Sequence, residues 1–164
     1  MASIQIAVIV NAKTAAAAKK SVMAAMEDMH ADSQDRMLPP EWVIDGAEVA
    51  EVLEWDCGGD ELVHEYLDLY RETWEQNLDN LRKTLGDTDA SDVYEDRALY
   101  AAASVAGREM GAWAGWPVKV YYLGHDSYDY LESIRHHHDL SKGILEDITE
   151  GSNPAWVAQV NTHY

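Results

Sequence analysis

Ile4-Gln5-Ile6-Ala7-Val8-Ile9-Val10 is the stretch on which the reading of the whole chain turns. Ile4, Ile6, Val8 and Val10 alternate onto one face of a strand, and Ala7 and Ile9 onto the other. A strand that is apolar on both faces leaves no side for water, so it belongs inside a sheet covered on both sides. A first cover follows at once. Asn11 to Thr14 turns the chain, and Ala15, Ala18, Val22, Ala25, Met26 and Met29 recur at helical spacing as one narrow apolar stripe. Lys19 and Lys20 sit early in this helix and Glu27 and Asp28 late, against its dipole, at a cost of roughly a few tenths of a kcal/mol each.

Beyond the loop Asp32 to Pro40, Glu41 to Ile44 reads as a short strand and Asp45-Gly46 as a two-residue hairpin turn, whose central positions need positive φ. Residues 47–55 form the returning strand in this reading. Asp45 with Glu48 as a capping box, and Val49, Val52 and Leu53 at helical spacing, offer a helix as the alternative. Leu62, Tyr66, Tyr70, Trp74, Leu78, Leu81 and Leu85 predict a long helix stopped by Gly86. A second helix is expected from Asp92 to about Gly111, with Ala98, Ala102, Ala106 and Gly107 permitting close packing. Trp116-Pro117 ends the helical region. Val118 to Leu123 is then a strand, and Ser127 to His138 a helix capped by Asp126. A helical turn or two is expected in Leu140 to Glu150, and an edge strand in Ala155 to Val160.

This order resembles the split β-α-β-β-α-β arrangement of ferredoxin-like domains, over residues 3–123. The expected fold is therefore a single α+β domain, ferredoxin-like, with an added helix and a C-terminal helix/strand extension over 124–164. In such a sheet the first strand is flanked by two antiparallel neighbours, 47–55 and 118–123. The residues after Val10 and those after Leu123 would leave at opposite ends, so Lys13 and His125 would not share a site.

The chain has 164 residues, 12 basic against 30 acidic, for a net charge of −18. Such a surface repels phosphate backbones and anionic lipids, which argues against direct nucleic-acid or membrane-surface binding. The acidic residues are scattered through every element, as on a halophilic-like surface that stays solvated in strong salt. An acidic surface in an ordinary cell, or one facing a basic partner, is the other reading. No apolar run is long enough to span a membrane and no basic leader precedes one, so a soluble, cytoplasmic or intracellular protein is expected. A viral or accessory protein is compatible with this composition. The single cysteine, Cys57, excludes an internal disulfide and is expected to be a small buried or half-buried residue.

Three constellations carry chemistry. Lys13, Thr14 and Lys19, with the free N–H groups at the start of the first helix, could hold a small anion, although no glycine-rich phosphate loop precedes them. His136-His137-His138 cannot converge on one ion as helical neighbours, since consecutive residues point about 100° apart. Asp129, Glu132 and His136 share one helical face at i, i+3 and i+7, and His125 or Asp126 from the preceding turn would complete a site for a divalent metal, the one cofactor the sequence suggests. Cys57 with His125 lacks a third group for nucleophilic catalysis, and His64 with Asp68 reads as a surface pair on the long helix.

Six Trp, nine Tyr and no Phe give every aromatic a polar tip. Trp113, Trp116, Tyr121 and Tyr122 form the richest group, with Tyr121 and Tyr122 on opposite sheet faces, and they are expected to make contacts, because such residues dominate interface hot spots. The leading expectation is a non-enzymatic acidic binding or assembly protein whose partner is a protein, itself or another, in a homo-oligomer or larger assembly. A small metal-dependent hydrolase or phosphoesterase using the His125 to His136 region comes second. Binding of a small anionic ligand near Lys13 comes third.

Overall fold

The computed structural model describes residues 3–35, 46–86, 118–123, 131–141 and 144–163. In chain order these are β1 (Ser3–Asn11), α1 (Ala15–Asp35), β2 (Gly46–Glu54), a 3-10 turn (Trp55–Cys57), α2 (Gly59–Gly86), β3 (Val118–Leu123), β4 (Leu131–Ile134), α3 (His137–Ser141), α4 (Ile144–Glu150) and β5 (Ala155–His163). The strands make one mixed five-stranded sheet in the order β2-β5-β1-β3-β4. The fold is mixed α+β, and its strand order differs from the ferredoxin-like one.

The difference lies in the neighbours of β1. Val118–Leu123 runs parallel to it, with Gln5 opposite Val118 and Val10 opposite Leu123. On its other side lies β5, antiparallel, from Ser3 opposite His163 to Asn11 opposite Ala155. β2 pairs only with the far side of β5, from Gly46 opposite His163 to Glu54 opposite Trp156. The expected C-terminal extension thus supplies β5, one of the three interior strands of the described sheet. Of residues 47–55, all but Trp55, which opens the 3-10 turn, are in a strand as expected, and it lies at an edge among the described strands.

The alternation in β1 divides the core as the sequence predicts. Ile4, Ile6, Val8 and Val10 pack with Ala18, Val22 and Met26 of α1 and with Val49, Tyr121, Ala158 and Val160. Ala7 and Ile9 face the other way, onto Val63, Tyr66, Leu67 and Tyr70 of α2, with Leu140 and Ile148 of the two short helices beside them. From β1 the chain crosses by way of α1 to β2, and α2 leads back toward β3 beyond β1. The two crossings travel in opposite directions, so a common right-handed sense places α1 and α2 on opposite faces. The β2 register slips between Val49 and Glu51, which puts Val49 and Val52 on the same face and absorbs the irregular spacing that suggested a helix.

Two local expectations need correcting. Gly46 opens β2 as a strand residue, and among the described glycines the positive φ belongs to Gly58, at 99°, so Gly46 does not take the left-handed turn position expected of it. Leu131–Ile134 is a strand paired antiparallel to β3, with Ile134 opposite Val120 and Leu131 opposite Leu123, where a helix from Ser127 to His138 was expected. Its order of Leu, Glu, Ser, Ile suits either state, and the open edge of β3 decides it. The strand expected at Glu41 to Ile44, the turn residue Asp45 and the helix expected at Asp92 to Gly111 lie outside the described residues. No helix among the described residues is long and apolar enough to cross a membrane.

Lys119 is the one charged side chain among the buried residues of the described core, at 8% exposure on β3, with its ammonium 5.4 Å from the centre of the Tyr70 ring. Burial, with the nearby Arg135 guanidinium as the smaller cause, lowers its pKa from 10.5 to about 8. Between those values the unfolded chain holds the proton more tightly than the fold does, so stability rises as pH climbs through that window. Lys119→Met is expected to stabilise the protein at pH 7 by on the order of 1 kcal/mol, after discounting for water near the amine and for the lost cation–π contact. That advantage should shrink as the pH is raised from about 8 toward 10.5. Parallel denaturant titrations at pH 7 and pH 10 check it, and an advantage independent of pH would show that the buried charge is not its source.

Candidate functional site

Because β1 and β3 are parallel, the segments after Val10 and after Leu123 leave from the same edge of the sheet. β2 ends there too, since Glu54 lies level with Trp156 and Val10. This corrects the expectation that Lys13 and the segment after Leu123 are at opposite ends. His125 itself lies outside the described residues, as do Trp113, Trp116, Asp126 and Asp129.

The shared edge is tied together by polar contacts. Asn11, at 6% exposure, donates through Nδ2 to the Asn153 carbonyl at 3.1 Å and accepts at Oδ1 from the Tyr122 hydroxyl at 3.4 Å. The Ala12 N–H donates to the Pro154 carbonyl at 3.0 Å, and Trp156 Nε1–H donates to the Ala12 carbonyl at 2.9 Å. The turn after β1 is therefore locked to the turn before β5. Thr14 Oγ1 accepts from the Ala17 N–H at 3.2 Å, which makes Thr14 the cap of α1, while Lys13 and Lys19 point into solvent. On the α2 side of this edge, Glu54, Trp55, Asp56, Thr149, Ser152 and Asn153 line an open cleft of about 350 Å³.

Tyr121 and Tyr122 project to opposite faces, as alternation requires, and both are buried. Burial raises the Tyr121 phenol well above the usual tyrosine range, so it stays neutral. Neither tyrosine presents its ring to solvent. Glu132 is exposed on β4, and His136 is exposed in the turn after it. The strand at 131–134 removes the helical face that grouped Asp129, Glu132 and His136. Cys57 is exposed, against the expectation of a buried or half-buried residue, with Sγ 3.9 Å from Glu54 Oε2.

The densest chemistry among the described residues lies between α2 and α3. His137 Nε2 is 3.0 Å from Asp68 Oδ1, and His137 Nδ1 is 2.8 Å from His64 Nδ1. An ionised carboxylate only accepts, so His137 carries a proton on Nε2, and with both rings neutral its Nδ1 accepts from His64 Nδ1–H. The ring centres are 4.9 Å apart with planes inclined by 17°. Stacked faces would keep ring atoms about 3.5 Å apart, so the 2.8 Å contact runs edge to edge, nitrogen toward nitrogen. The hydrogen bond from His137 is the main cause holding the Asp68 carboxyl below its ordinary range, with Arg71, 3.8 Å away, adding to it.

The chain matches no family model, no curated protein and no solved structure.

Local sequence spacing could not find this pairing. His64 and Asp68 are one helical turn apart and suggest a pair with each other, yet Asp68 bonds to His137, 69 residues further on. The histidine triplet was the visible signal. Its misleading feature was the assumption of one continuous helix, whereas α3 begins at His137 with Asp139 Oδ2 accepting from the N–H groups of Arg135 and His136. The relay can bind or pass a proton. Among the described residues no group of three or more His, Cys, Asp and Glu side chains converges as a ready metal cage.

Proposed function

We propose that this protein is a non-enzymatic, acidic α+β binding or assembly protein that works by protein–protein contact, with the distal half of α2 as the contact surface. One observation carries the reading. α2 has 28 residues, about 42 Å at 1.5 Å per residue, while its fully buried positions end at Tyr70 among the described side chains. Its apolar stripe continues past that point through Trp74 and Leu78, and Leu81 and Leu85 extend the same spacing in sequence. Trp74, on this stripe, is 37% exposed, as is Leu69 on another face of the helix, and these are the large hydrophobic side chains most open to water among those described. Spacings of four, three and four from Trp74 to Leu85 suit packing against another helix. In this reading Trp74 is the aromatic contact on α2, while Tyr121 and Tyr122 are buried and Trp113 and Trp116 lie outside the described residues.

A copy of this chain is the simplest partner. Two copies each carrying −18 repel in dilute salt, and near 1 M salt the screening length falls to about 3 Å, so association should strengthen as salt rises. Light scattering across salt and protein concentration is expected to show a concentration-dependent rise in mass at high salt. Trp74→Glu should shift the midpoint at least ten-fold toward monomer while melting within a few degrees of the parent, whereas Leu69→Glu, about 140° around the helix from Trp74, should leave it unchanged. A strict monomer at every salt, with all tryptophans shielded from a soluble quencher, would remove the proposal.

A further inference from the structure

We propose that His64 and His137 form a two-imidazole site for a late first-row divalent metal such as zinc or nickel, with Asp68 orienting His137 from behind. His137 is arranged as a ligand whose outer N–H is held by a carboxylate, at 3.0 Å to Asp68 Oδ1, and whose Nδ1, the lone-pair nitrogen of the neutral ring, is directed at His64. Metal-bound imidazoles commonly have this backing, which fixes the tautomer and makes the inner nitrogen more basic. The second nitrogen, His64 Nδ1, stands 2.8 Å away. With bonds of about 2.0–2.1 Å, two nitrogens on one ion lie about 2.9–3.4 Å apart, so the pair has to open by only a few tenths of an ångström. The rings also have to turn, because the nitrogens now face each other along a hydrogen bond. Both histidines are exposed, and the proton on His64 Nδ1 moves to Nε2 by exchange with water.

The site spans two elements, His64 on α2 and His137 at the start of α3, so it is not a property of the histidine triplet as a tripeptide. Nitrogen donors select zinc, nickel or copper over magnesium and calcium, which take oxygen. Water fills the remaining positions. The net charge of −18, with Asp60, Glu61 and Glu65 on the same stretch of α2, raises the local concentration of cations. The proposal does not depend on the assembly reading, since it concerns a different part of α2.

Calorimetric titration of the untagged full chain with zinc chloride and nickel chloride tests it, with magnesium chloride as control. One saturable equivalent is expected for zinc or nickel and none for magnesium. His64→Gln and His137→Gln should each weaken binding at least ten-fold, and Asp68→Asn by about 10–100-fold. The double variant His136→Gln/His138→Gln should bind like the parent. In the parent protein the ring resonances of both His64 and His137 should shift on adding zinc, a readout that needs no variant to fold. Absence of saturable binding, a His64→Gln variant that binds as tightly as the parent, or unmoved His64 resonances would overturn the proposal.

Discussion

Truncation after Asn153, which removes β5, is expected to leave a chain with no cooperative thermal transition. β5 pairs with β1 along one side and with β2 along the other, so its loss strips both strands of their neighbour. It also removes Ala155 and Val157 from one core, Ala158 and Val160 from the other, and the buried Thr162. Each fully buried valine is worth about 1.5–3 kcal/mol, against a total domain stability of about 5–15 kcal/mol. The exposed flanks of β1 and β2 would then carry unpaired backbone groups beside apolar side chains, a surface prone to aggregation. Circular dichroism melting and limited proteolysis provide the check. A truncated chain that melts cooperatively near the parent temperature would mean that β5 is a dispensable edge, as its sequence position suggests.

Gly59→Val is the single substitution expected to cost most among those at the junction of β2 and α2, about 3 kcal/mol or more. A Cβ at Gly59 would lie 2.9 Å from the Glu54 carbonyl oxygen and 2.9 Å from Val157 Cγ2. The first is backbone and the second belongs to the interior strand β5, so neither can swing aside. Two further methyls would have to enter the same space. The neighbouring Gly58, at φ 99°, already provides the left-handed step that ends the 3-10 turn, and its N-terminal partner for α2 is the bond from the Leu62 N–H to the Gly58 carbonyl at 3.1 Å. Gly46→Ala is the matched control, with nothing within 4 Å of the added carbon and an expected change under about 0.5 kcal/mol. Denaturant midpoints of the two variants give the comparison, and similar midpoints would mean that the packing of Glu54 and Val157 against Gly59 is looser than described.

How far the fold could be read from the chain differs from element to element. Alternation in Ile4 to Val10 predicts an interior strand with two apolar faces, and both faces are covered. The stripe Ala18, Val22, Ala25 and Met26 is the buried face of α1. Tyr66 and Tyr70 do face the core from α2. β5 is expected at an edge because Ala155 to Val160 alternates after Asn153-Pro154, yet it lies inside the sheet. There Gln159 is half-buried and donates to the Tyr66 hydroxyl at 2.8 Å, which in turn donates to Gln5 Oε1 at 3.2 Å. A polar residue meant for water and one meant for a buried partner are the same residue in a sequence.

The candidate sites follow the same rule. Thr14 was visible as a helix-start residue and serves as a cap. The metal grouping at Glu132 and His136 rested on a helix that β3 turns into a strand by offering an unpaired edge. Where Trp113, Trp116, His125, Asp126 and Asp129 belong falls outside the described residues.

By itself the sequence determined the elements whose information is local: the period of β1, the stripes of α1 and α2, the strand at 118–123 and the acidic surface. Tertiary structure alone decided the strand order, the parallel pairing of β1 with β3, the interior place of β5 and the meeting of His64 with His137. The reason is physical. Periodicity records which side of an element avoids water, whereas backbone hydrogen bonds between strands are chemically alike in any order. The choice among orders is made by contacts such as Asn11 with Asn153, 142 residues apart, which leave no periodic trace along the chain.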